Sequence, residues 1–571
     1  MKKEVSGVRM VLGYFGIFLV LVGIITAVPM VMMVYPGESK CYIDFLIPVT
    51  IDIVLGLILY FVFLCGRKRA KFLRHQDSVL LVAVWLAAIV SGAAPMFIAG
   101  IRGEMEMTFS EAIFETTSAY STTGLNVFKD FLDSPDAFCP HVFTFLRSWM
   151  QFIGGVGFVL ILASILGGNT SMSLYQGEGH NDRILASLRK TAQVILGIYS
   201  AYMVVGALAL FLSGLPLFDA FNISMCALSG GGLSLRSSNI AFYEAYEGEI
   251  LNYHFENGVK VMEVGNGAFF PVNFVAIEII MMVLVTLSAV SFVLHTFVLT
   301  GKWKKFLLDE ETRFGIISFF LLFAFSYGGY LTVALSATSV DTEDLGKAAM
   351  DCAFYIVGSA TTSGFSNTDL PRFLSLGEPL FFASILAMFM GGGVGSTGGG
   401  MKQYRVVTCL KSLYYSLRYR FLSAHSFRPK TIYRYGKMQE LDDDTVSEAY
   451  HYGLLFLAMV VISVLIGCIA PNGDEPYTQM DLPSVLYNVV SASSNTGYGV
   501  SDFLAYRRIF GASSWGYNLT LWVLTIDMFL GRLEIIPLFY ALSNIPKEIK
   551  YRASLRKAER SGILAEKGAE S

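Results

Sequence analysis

Ser494-Asn495-Thr496-Gly497-Tyr498-Gly499 is a run of small, hydroxylated residues that closes on a glycine and an aromatic ring. The pattern occurs three times upstream, as Ser121-Thr122-Thr123-Gly124-Leu125-Asn126, Ser229-Gly230-Gly231-Gly232-Leu233-Ser234 and Thr361-Thr362-Ser363-Gly364-Phe365-Ser366. In each, a large apolar or aromatic residue follows the glycine. Thirteen positions before it stand Glu111, Asp219, Asp351 and Ser484, residue types suited to the first turn of a helix. Agreement at both ends makes these four copies of one structural unit, a short amphipathic helix followed by a glycine loop.

The surroundings say where the units sit. Of 571 residues, 54% are hydrophobic and 15% charged, too apolar a balance for a soluble chain. A helix needs roughly 20 mainly apolar residues to cross a bilayer. Stretches of that kind run near Val11 to Val34, Phe45 to Cys65, Val79 to Ile98, Val142 to Leu166, Val194 to Leu212, Phe274 to Leu299, Ile316 to Leu335, Leu380 to Met401, Gly453 to Ala470 and Asn518 to Leu542. The units fall between spans three and four, five and six, seven and eight, and nine and ten, and are too short to cross. The expected fold is an all-α polytopic membrane protein with a fourfold pseudo-symmetric repeat of helix, re-entrant pore helix with filter loop, and helix, preceded by an extra two-helix hairpin. Its parts are residues 1–75 (hairpin), 76–190, 191–313, 314–445 and 446–545 (repeats one to four) and 546–571 (a basic tail).

Charge gives the orientation. Basic residues gather at Lys2, Lys3 and Arg9, Arg67 to Arg74, Arg183 to Lys190, Lys302 to Arg313, Lys402 to Lys437 and Lys547 to Lys557. All fall on one side of the expected topology, which places both termini in the cytoplasm of a multi-pass protein of the cell (inner) membrane. The start of the chain is basic and lacks a small-residue cleavage site, so the first span is read as retained. Glu244 to Glu263, Asp341 to Asp344 and Asp474 to Asp481 make the opposite face acidic. That either concentrates cations or is ordinary solvated loop, and the role of the long 240–267 segment is open. The seven cysteines form no CxxC pair; Cys41 and Cys139 would share the outer side but are read as free. No grouping of His, Cys, Ser and acid suggests an enzyme, and neither a covalent cofactor nor a nucleic-acid partner is expected.

Irregular backbone at membrane depth is tolerated only where it is buried or lines a water-filled path. Four loops dipping in from one side therefore imply such a path. Glycine lets successive carbonyls turn inward and replace the water around a dehydrated cation. The carbonyls expected to do so belong to Thr122, Thr123 and Gly124; Gly231, Gly232 and Leu233; Thr362, Ser363, Gly364 and Phe365; and Asn495, Thr496, Gly497 and Tyr498. Helix C-termini pointing at the centre favour a cation further. Taken singly, such Ser/Thr/Gly clusters more often serve helix packing; it is the common register that favours a filter.

Asn495-Thr496-Gly497-Tyr498-Gly499 is close to the TVGYG sequence of potassium channels, and over nearly its whole length the chain resembles the TrkH and KtrB potassium uptake proteins of the Trk/Ktr/HKT superfamily. The TrkH branch fits best. Arg147-Ser148-Trp149-Met150-Gln151-Phe152-Ile153-Gly154-Gly155-Val156-Gly157 is similar to the family's Trp/Gln and Gly-Gly-x-Gly motif, and Gly531-Arg532-Leu533-Glu534 to its GRLE. Gly391-Gly392-Gly393-Val394-Gly395-Ser396-Thr397-Gly398-Gly399-Gly400-Met401-Lys402 looks like its glycine-rich intramembrane loop. The resemblance implies a potassium ion bound in the filter and a gate just below it at the glycine-rich loop. It also implies a homodimer in membrane lipid on a cytoplasmic nucleotide-binding RCK (TrkA-like) ring. Glycine at Gly124 goes with potassium preference. Gly230 departs from the pattern, since threonine is usual there, so Gly231 and Gly232 compete for the filter position; the thirteen-residue offset from Asp219 and the apolar follower Leu233 favour Gly232.

The residues agree with a gate. A segment this rich in glycine holds no stable helix, each glycine costing about 1 kcal/mol against alanine, so span eight should break; close helix packing is the other use of such glycines. Arg532 in an apolar span must face water or a partner. It forms either a cationic barrier touching the Gly391 to Gly400 loop or a structural pair with Asp527 or Glu534. The basic stretch with Arg405, Lys411, Arg418, Arg420, Arg428 and Arg434 is either a topology signal or a docking face for the ring. The function expected is potassium uptake, channel-like or ion-coupled. The rivals are the potassium-translocating subunit of an ATP-driven pump and a sodium-permeable relative.

Overall fold

The computed structural model describes residues 4–5, 8–35, 37–66, 68–69, 74–128, 141–157, 188–256, 259–265, 270–335, 342–421, 429–470, 481–500, 507 and 511–533. Cys139, Glu534, most of the basic 183–190 segment and the tail beyond Leu533 lie outside them, as do the ends of the fourth and tenth apolar stretches.

The chain opens with a hairpin of α1 (Val8–Ala27) and α2 (Tyr42–Phe63). The helices meet at paired glycines: a Cβ on Gly16 would stand 2.6 Å from the Gly56 carbonyl oxygen, and one on Gly56 equally close to that of Gly16. Small residues of this kind let helices approach in lipid. The outer face of α2 (Ile43, Ile47, Ile51, Ile58 and Phe61) is apolar and exposed, as suits a surface against hydrocarbon. The hairpin docks on the first repeat where Glu38 accepts from the backbone N–H groups of His141 (2.7 Å) and Val142 (2.9 Å), and where Trp149 Nε1 donates to the Ile25 carbonyl (3.1 Å).

Repeat one is α3 (Arg74–Ile101), the short α4 (Phe109–Tyr120) and α5 (His141–Val156). Repeat two is α6 (Leu188–Leu212), α7 (Leu217–Leu228), α8 (Phe274–Ala289) and α9 (Phe292–Leu299). A short α10 (Trp303–Leu307) leads to repeat three: α11 (Glu310–Ala334), α12 (Thr342–Ala360), α13 (Leu370–Ser375), α14 (Glu378–Met390) and α15 (Gln403–Tyr419). Repeat four is α16 (Asp443–Gly467), α17 (Leu482–Ser493) and α18 (Trp515–Arg532). Among the described residues, strands occur as three two-stranded pairs. β1 (Glu4–Val5) pairs with β2 (Lys68–Arg69), and β3 (Leu251–Glu256) forms a hairpin with β4 (Val259–Val264). A second hairpin, β5 (Thr431–Arg434) and β6 (Lys437–Glu440), turns at Tyr435-Gly436, both at positive φ.

Among the described residues six helices are long and apolar enough to span a membrane, and a seventh span results if α8 and α9 are counted together. The sixth apolar stretch, expected as one continuous helix, instead bends by 115° between them. Its hydropathy is unbroken there, and the cause is tertiary: the glycine-rich loop takes up the freed backbone groups. The eighth stretch breaks as its glycines predict, into α14 and an irregular loop.

The pore helices α4, α7 and α17 each have 12 residues, about 18 Å at 1.5 Å per residue and too short to cross. Their starts differ in an instructive way. Thr108 caps α4 and Glu111, three residues on, bonds back to the Thr108 N–H (2.8 Å); Asp481 caps α17 by accepting from Ser484 N–H (3.1 Å). Acid and hydroxyl have exchanged places, which accounts for Ser484 where repeats one to three have an acid. The third pore helix, α12, has 19 residues, so Asp351 lies within it and not in its first turn, as its spacing alone had suggested.

Candidate ion-conduction site

The four pore helices end in the same way. In repeat one, Ser121, Thr122 and Thr123 N–H groups donate to the carbonyls of Thr117, Ala119 and Ser118. The same three bonds recur from Ser229, Gly230 and Gly231, from Thr361, Thr362 and Ser363, and from Ser494, Asn495 and Thr496. Gly232 thereby occupies the place of Gly124, Gly364 and Gly497. Gly230 matches Thr122, Thr362 and Asn495, and all four sit in the left-handed region, at φ of 72°, 60°, 53° and 55°. Three non-glycine residues in that conformation are a local strain that the surrounding bonds must hold.

The glycines meet in a closed ring. A Cβ on Gly124 would stand 2.6 Å from Gly232 N, and one on Gly232 2.7 Å from Gly364 C and from Ser363 O. A Cβ on Gly364 would strike the Thr496 carbonyl oxygen, and one on Gly497 that of Thr123. Each loop abuts the next in chain order and the fourth returns to the first. All four glycines open onto a vestibule of about 320 Å³, walled by Asn126, Arg236, Asn239, Tyr355, Tyr487 and Tyr498 among others.

The acids thirteen positions before the ring glycines, Glu111 and Asp219 in the first turns of their pore helices and Asp351 within its own, are not free attractors of cations. Glu111 pairs with Arg507 (2.8 Å), Asp219 with Arg236 (3.1 Å) and Asp351 with Arg372 (3.2 Å); Tyr517 and Tyr243 hydroxyls also donate to Glu111 (2.9 Å) and Asp219 (2.7 Å). A further pair, Glu115 with Arg147 (2.6 Å), is fully buried behind the first loop, where Glu115 also accepts from Val127 N–H (3.0 Å). Elsewhere, Cys41, Asp44 and Glu104 converge, but Arg102 bridges both carboxylates at 2.8 Å and supplies their counter-charge.

Directly beneath the ring lies the glycine-rich loop. Its Gly399 N–H donates to Thr362 Oγ1 (2.7 Å), and Thr397 Oγ1 donates to the Ser288 (2.8 Å) and Leu228 (3.4 Å) carbonyls. A Cβ on Gly398 would lie 3.1 Å from Thr361 O, and one on Gly399 would strike Ser494 O. The loop thus touches repeats two, three and four. Gly393 N–H donates to Ala289 O (2.9 Å) and Phe292 N–H to Gly395 O (2.8 Å), which is how the α8–α9 bend is satisfied. Gly391, Gly395 and Gly400 have φ of 68°, 69° and 75°; a Cβ on Gly391 would meet Gly400 Cα at 2.8 Å, so the loop folds back on itself. Gly392 completes the fold by donating to Gly399 O (3.2 Å), while Ser396 Oγ donates to Gly393 O (2.7 Å).

Repeat one is reached through Arg532. Its guanidinium donates to Thr397 O (2.9 Å) from Nη1 and to the carbonyls of Gly154 and Gly155 from Nη2. Asp527, one alternative partner, is bonded to Ser463 Oγ instead (2.7 Å); Glu534, the other, is outside the described residues. Sequence reasoning missed the opposite flank of the loop. Val394 N–H donates to Glu311 (3.3 Å), whose carboxylate lies 4.0 Å from Arg434 in the β5–β6 hairpin. Asp309 accepts from Tyr435 N–H at 2.8 Å. Burial raises the Asp309 carboxyl above its ordinary value, against the pull of the Tyr435 and Glu311 N–H groups.

Residues 48–550 match the family described as TrkH, cation transport protein. An uncharacterized cation transporter of Methanocaldococcus jannaschii is 27% identical, the alignment covering 95% of this chain and 96% of that one. The Trk system potassium uptake protein TrkH of Halomonas elongata is also 27% identical, with 92% and 96% covered. The crystal structure of the potassium transporter TrkH from Vibrio parahaemolyticus superposes with a TM-score of 0.71 over 94% of this chain and 98% of that one, at 22% identity, a likeness of fold.

Proposed function

The chain belongs to the TrkH family of Trk-type potassium uptake transporters, and on that premise we propose that potassium ions pass through the ring of Gly124, Gly232, Gly364 and Gly497. The observation that carries this reading is the closure of the ring, each glycine packed without room for a side chain against the next loop and open to one vestibule. Carbonyl oxygens of the four loops replace the hydration shell, and the C-terminal ends of the pore helices add negative potential. The vestibule faces outward, both termini are cytoplasmic, and the basic segments lie inside. Two copies form a dimer on a nucleotide-binding RCK ring, for which the basic 402–437 stretch is the docking face.

The gate is the Gly391 to Gly400 loop with Arg532. In this reading the bonds of the loop to Thr362 and of Arg532 to Thr397 hold the closed state, with loop and guanidinium across the path below the ring. A fixed positive charge repels a cation ~4 Å away by ~4 kcal/mol at an effective dielectric near 20. Opening then requires Arg532 to leave Thr397 and the loop to swing from Thr361, Thr362 and Ser494.

One experiment with two arms tests both statements, flux of potassium, rubidium and sodium in proteoliposomes. Gly364→Ser forces a side chain against the Thr496 carbonyl and should abolish discrimination of potassium from sodium; selectivity indifferent to it removes the filter reading. Arg532→Ala should raise potassium flux at least about tenfold, which takes only about 1.4 kcal/mol off the barrier. Unchanged flux in a normally folded variant removes the barrier.

A further inference from the structure

Behind the ring, the loops are not held alike. Six residues before the filter glycine stand Ser118, Cys226, Gly358 and Ser491. In repeat one the Ser118 hydroxyl accepts from Gly124 N–H (3.0 Å) and donates to the Leu125 carbonyl (2.7 Å). In repeat four Ser491 accepts from Gly497 N–H (3.0 Å). Ser118 thus fixes the peptide plane before its filter glycine and the one after Leu125, and Ser491 fixes the plane before Gly497. Repeat three has no side chain there. The space is taken by the Tyr498 hydroxyl, which a Cβ on Gly358 would strike, and that hydroxyl donates to the Phe365 carbonyl at 2.6 Å. Phe365 is the counterpart of Leu125, so the tyrosine of the fourth loop does for the third what Ser118 does within the first.

The geometry points to Tyr498 as a positioning residue for ion selection, a brace that sets the Phe365 carbonyl of the neighbouring repeat, with Gly358 kept small to admit it. The brace is built for the task. The ring of Tyr498 is buried and packs against Tyr355 at 5.2 Å between centroids, and Tyr355 is itself tied to Thr368 Oγ1 (3.1 Å), so the hydroxyl is delivered by a fixed body. A carbonyl oxygen has two lone pairs; Tyr498 occupies one and leaves the other for an ion. Without the bond the peptide plane is free to rotate, and the mouth of the filter loses the fixed oxygen spacing on which discrimination between similar cations depends. A selectivity element is thus shared between two repeats.

This inference rests on the filter reading above, and its test is arranged so that the two fail separately. Tyr498→Phe removes only the hydroxyl and should lower the potassium-to-sodium permeability ratio about tenfold, the effect of about one hydrogen bond, with little change in thermal unfolding. Gly358→Ser alone places a Cβ against the Tyr498 hydroxyl and should lower folded yield. The double variant Gly358→Ser/Tyr498→Phe provides a hydroxyl from repeat three's own helix. The Phe365 oxygen lies 3.4 Å from where a Cβ on Gly358 would stand, within a serine's reach, and the ratio should return to within about twofold of the wild type. A folded Tyr498→Phe protein with wild-type selectivity overturns the inference. So does a folded double variant that stays unselective, or a serine that restores neither folding nor selectivity. Absence of potassium flux in the wild type would instead remove the filter reading itself.

Discussion

Repeats one and four pin their loops from the same two positions of their own pore helices, whereas repeats two and three lack that pair of pins and take part of their support from other repeats. In the first loop Glu115, nine positions before the glycine, accepts from Val127 N–H (3.0 Å); in the fourth Asn488, also nine before, accepts from Val500 N–H (3.1 Å). With Ser118 and Ser491, each of these loops is pinned twice by its own pore helix. The second loop has Ile223 and Cys226 at these positions, and the third has Tyr355 and Gly358. Within repeat two Asn239 Nδ2 donates to the Gly232 carbonyl (3.1 Å), and within repeat three Tyr355 bonds Thr368 Oγ1 (3.1 Å), while further contacts come from other repeats. Gln151, from the second helix of repeat one, fills the side-chain space at Gly231, and Thr397 of the glycine-rich loop stands 2.9 Å from a Cβ on Gly230. Tyr498 serves the third loop. The lesson is that fourfold repetition of a ring does not require fourfold repetition of what holds it. The two borrowed loops, two and three, are also ones the glycine-rich loop bonds from beneath, so they are coupled to neighbours on two sides.

The comparison is broken most severely at Glu115. Glu115→Ala strips the first loop of one pin and leaves Arg147, which is 1% exposed, without its carboxylate. A buried pair that loses one partner costs about 3–5 kcal/mol. Thermal unfolding in detergent should fall accordingly, well beyond the loss of about 0.5–1.5 kcal/mol from Ile223→Val at the matching, equally buried site of repeat two. Equal losses at the two sites would mean that the first loop is not held by its own helix.

A smaller effect is expected where repeat two borrows. Gly231→Thr would give the second loop the residue type of Thr123 and Thr496, but its Cβ runs into the Gln151 side chain, whose Cγ would be 2.7 Å away. Overpacking of this kind costs about 1–3 kcal/mol. Gln151→Ala in the same chain should recover most of that and yield a loop closer to those of repeats one and four. If Gly231→Thr is tolerated with Gln151 intact, the glycine has some other cause.

These relations explain what could be read from the sequence and what could not. The four loops were legible because the bonds that define them are local, within five residues of each turn, and repeat in register. The break of span eight was legible because glycine lowers helix stability wherever it stands. The bend between Ala289 and Phe292 was not, since its backbone groups are satisfied by Gly393 and Gly395, a hundred residues away in the chain. Between Gly231 and Gly232 the thirteen-residue offset favoured Gly232; the Gly231 N–H bond to Cys226 O fixes that register, and the position of Gln151 says why a third glycine is present. A signal for the supports was nevertheless available. The pairs Glu115 with Ser118 and Asn488 with Ser491, nine and six positions before the glycine, recur in repeats one and four, and the lack of a serine at minus six in two and three marks the loops that also take contacts from other repeats.

The smallest expected effect is at the self-supported loop that most resembles a channel filter. Ser491→Ala removes the acceptor of Gly497 N–H but leaves Asn488 on Val500 and the Ser494–Thr496 hydroxyl contact (2.7 Å) in place. One net hydrogen bond is worth about 1 kcal/mol, so unfolding should shift slightly and the potassium-to-sodium ratio by no more than a few-fold. Combined with Asn488→Ala, the loss should exceed the sum of the single losses, because either pin alone limits how far the loop rotates. Strict additivity would show instead that the two pins act on independent peptide planes, and that the fourth loop owes its shape to the ring around it.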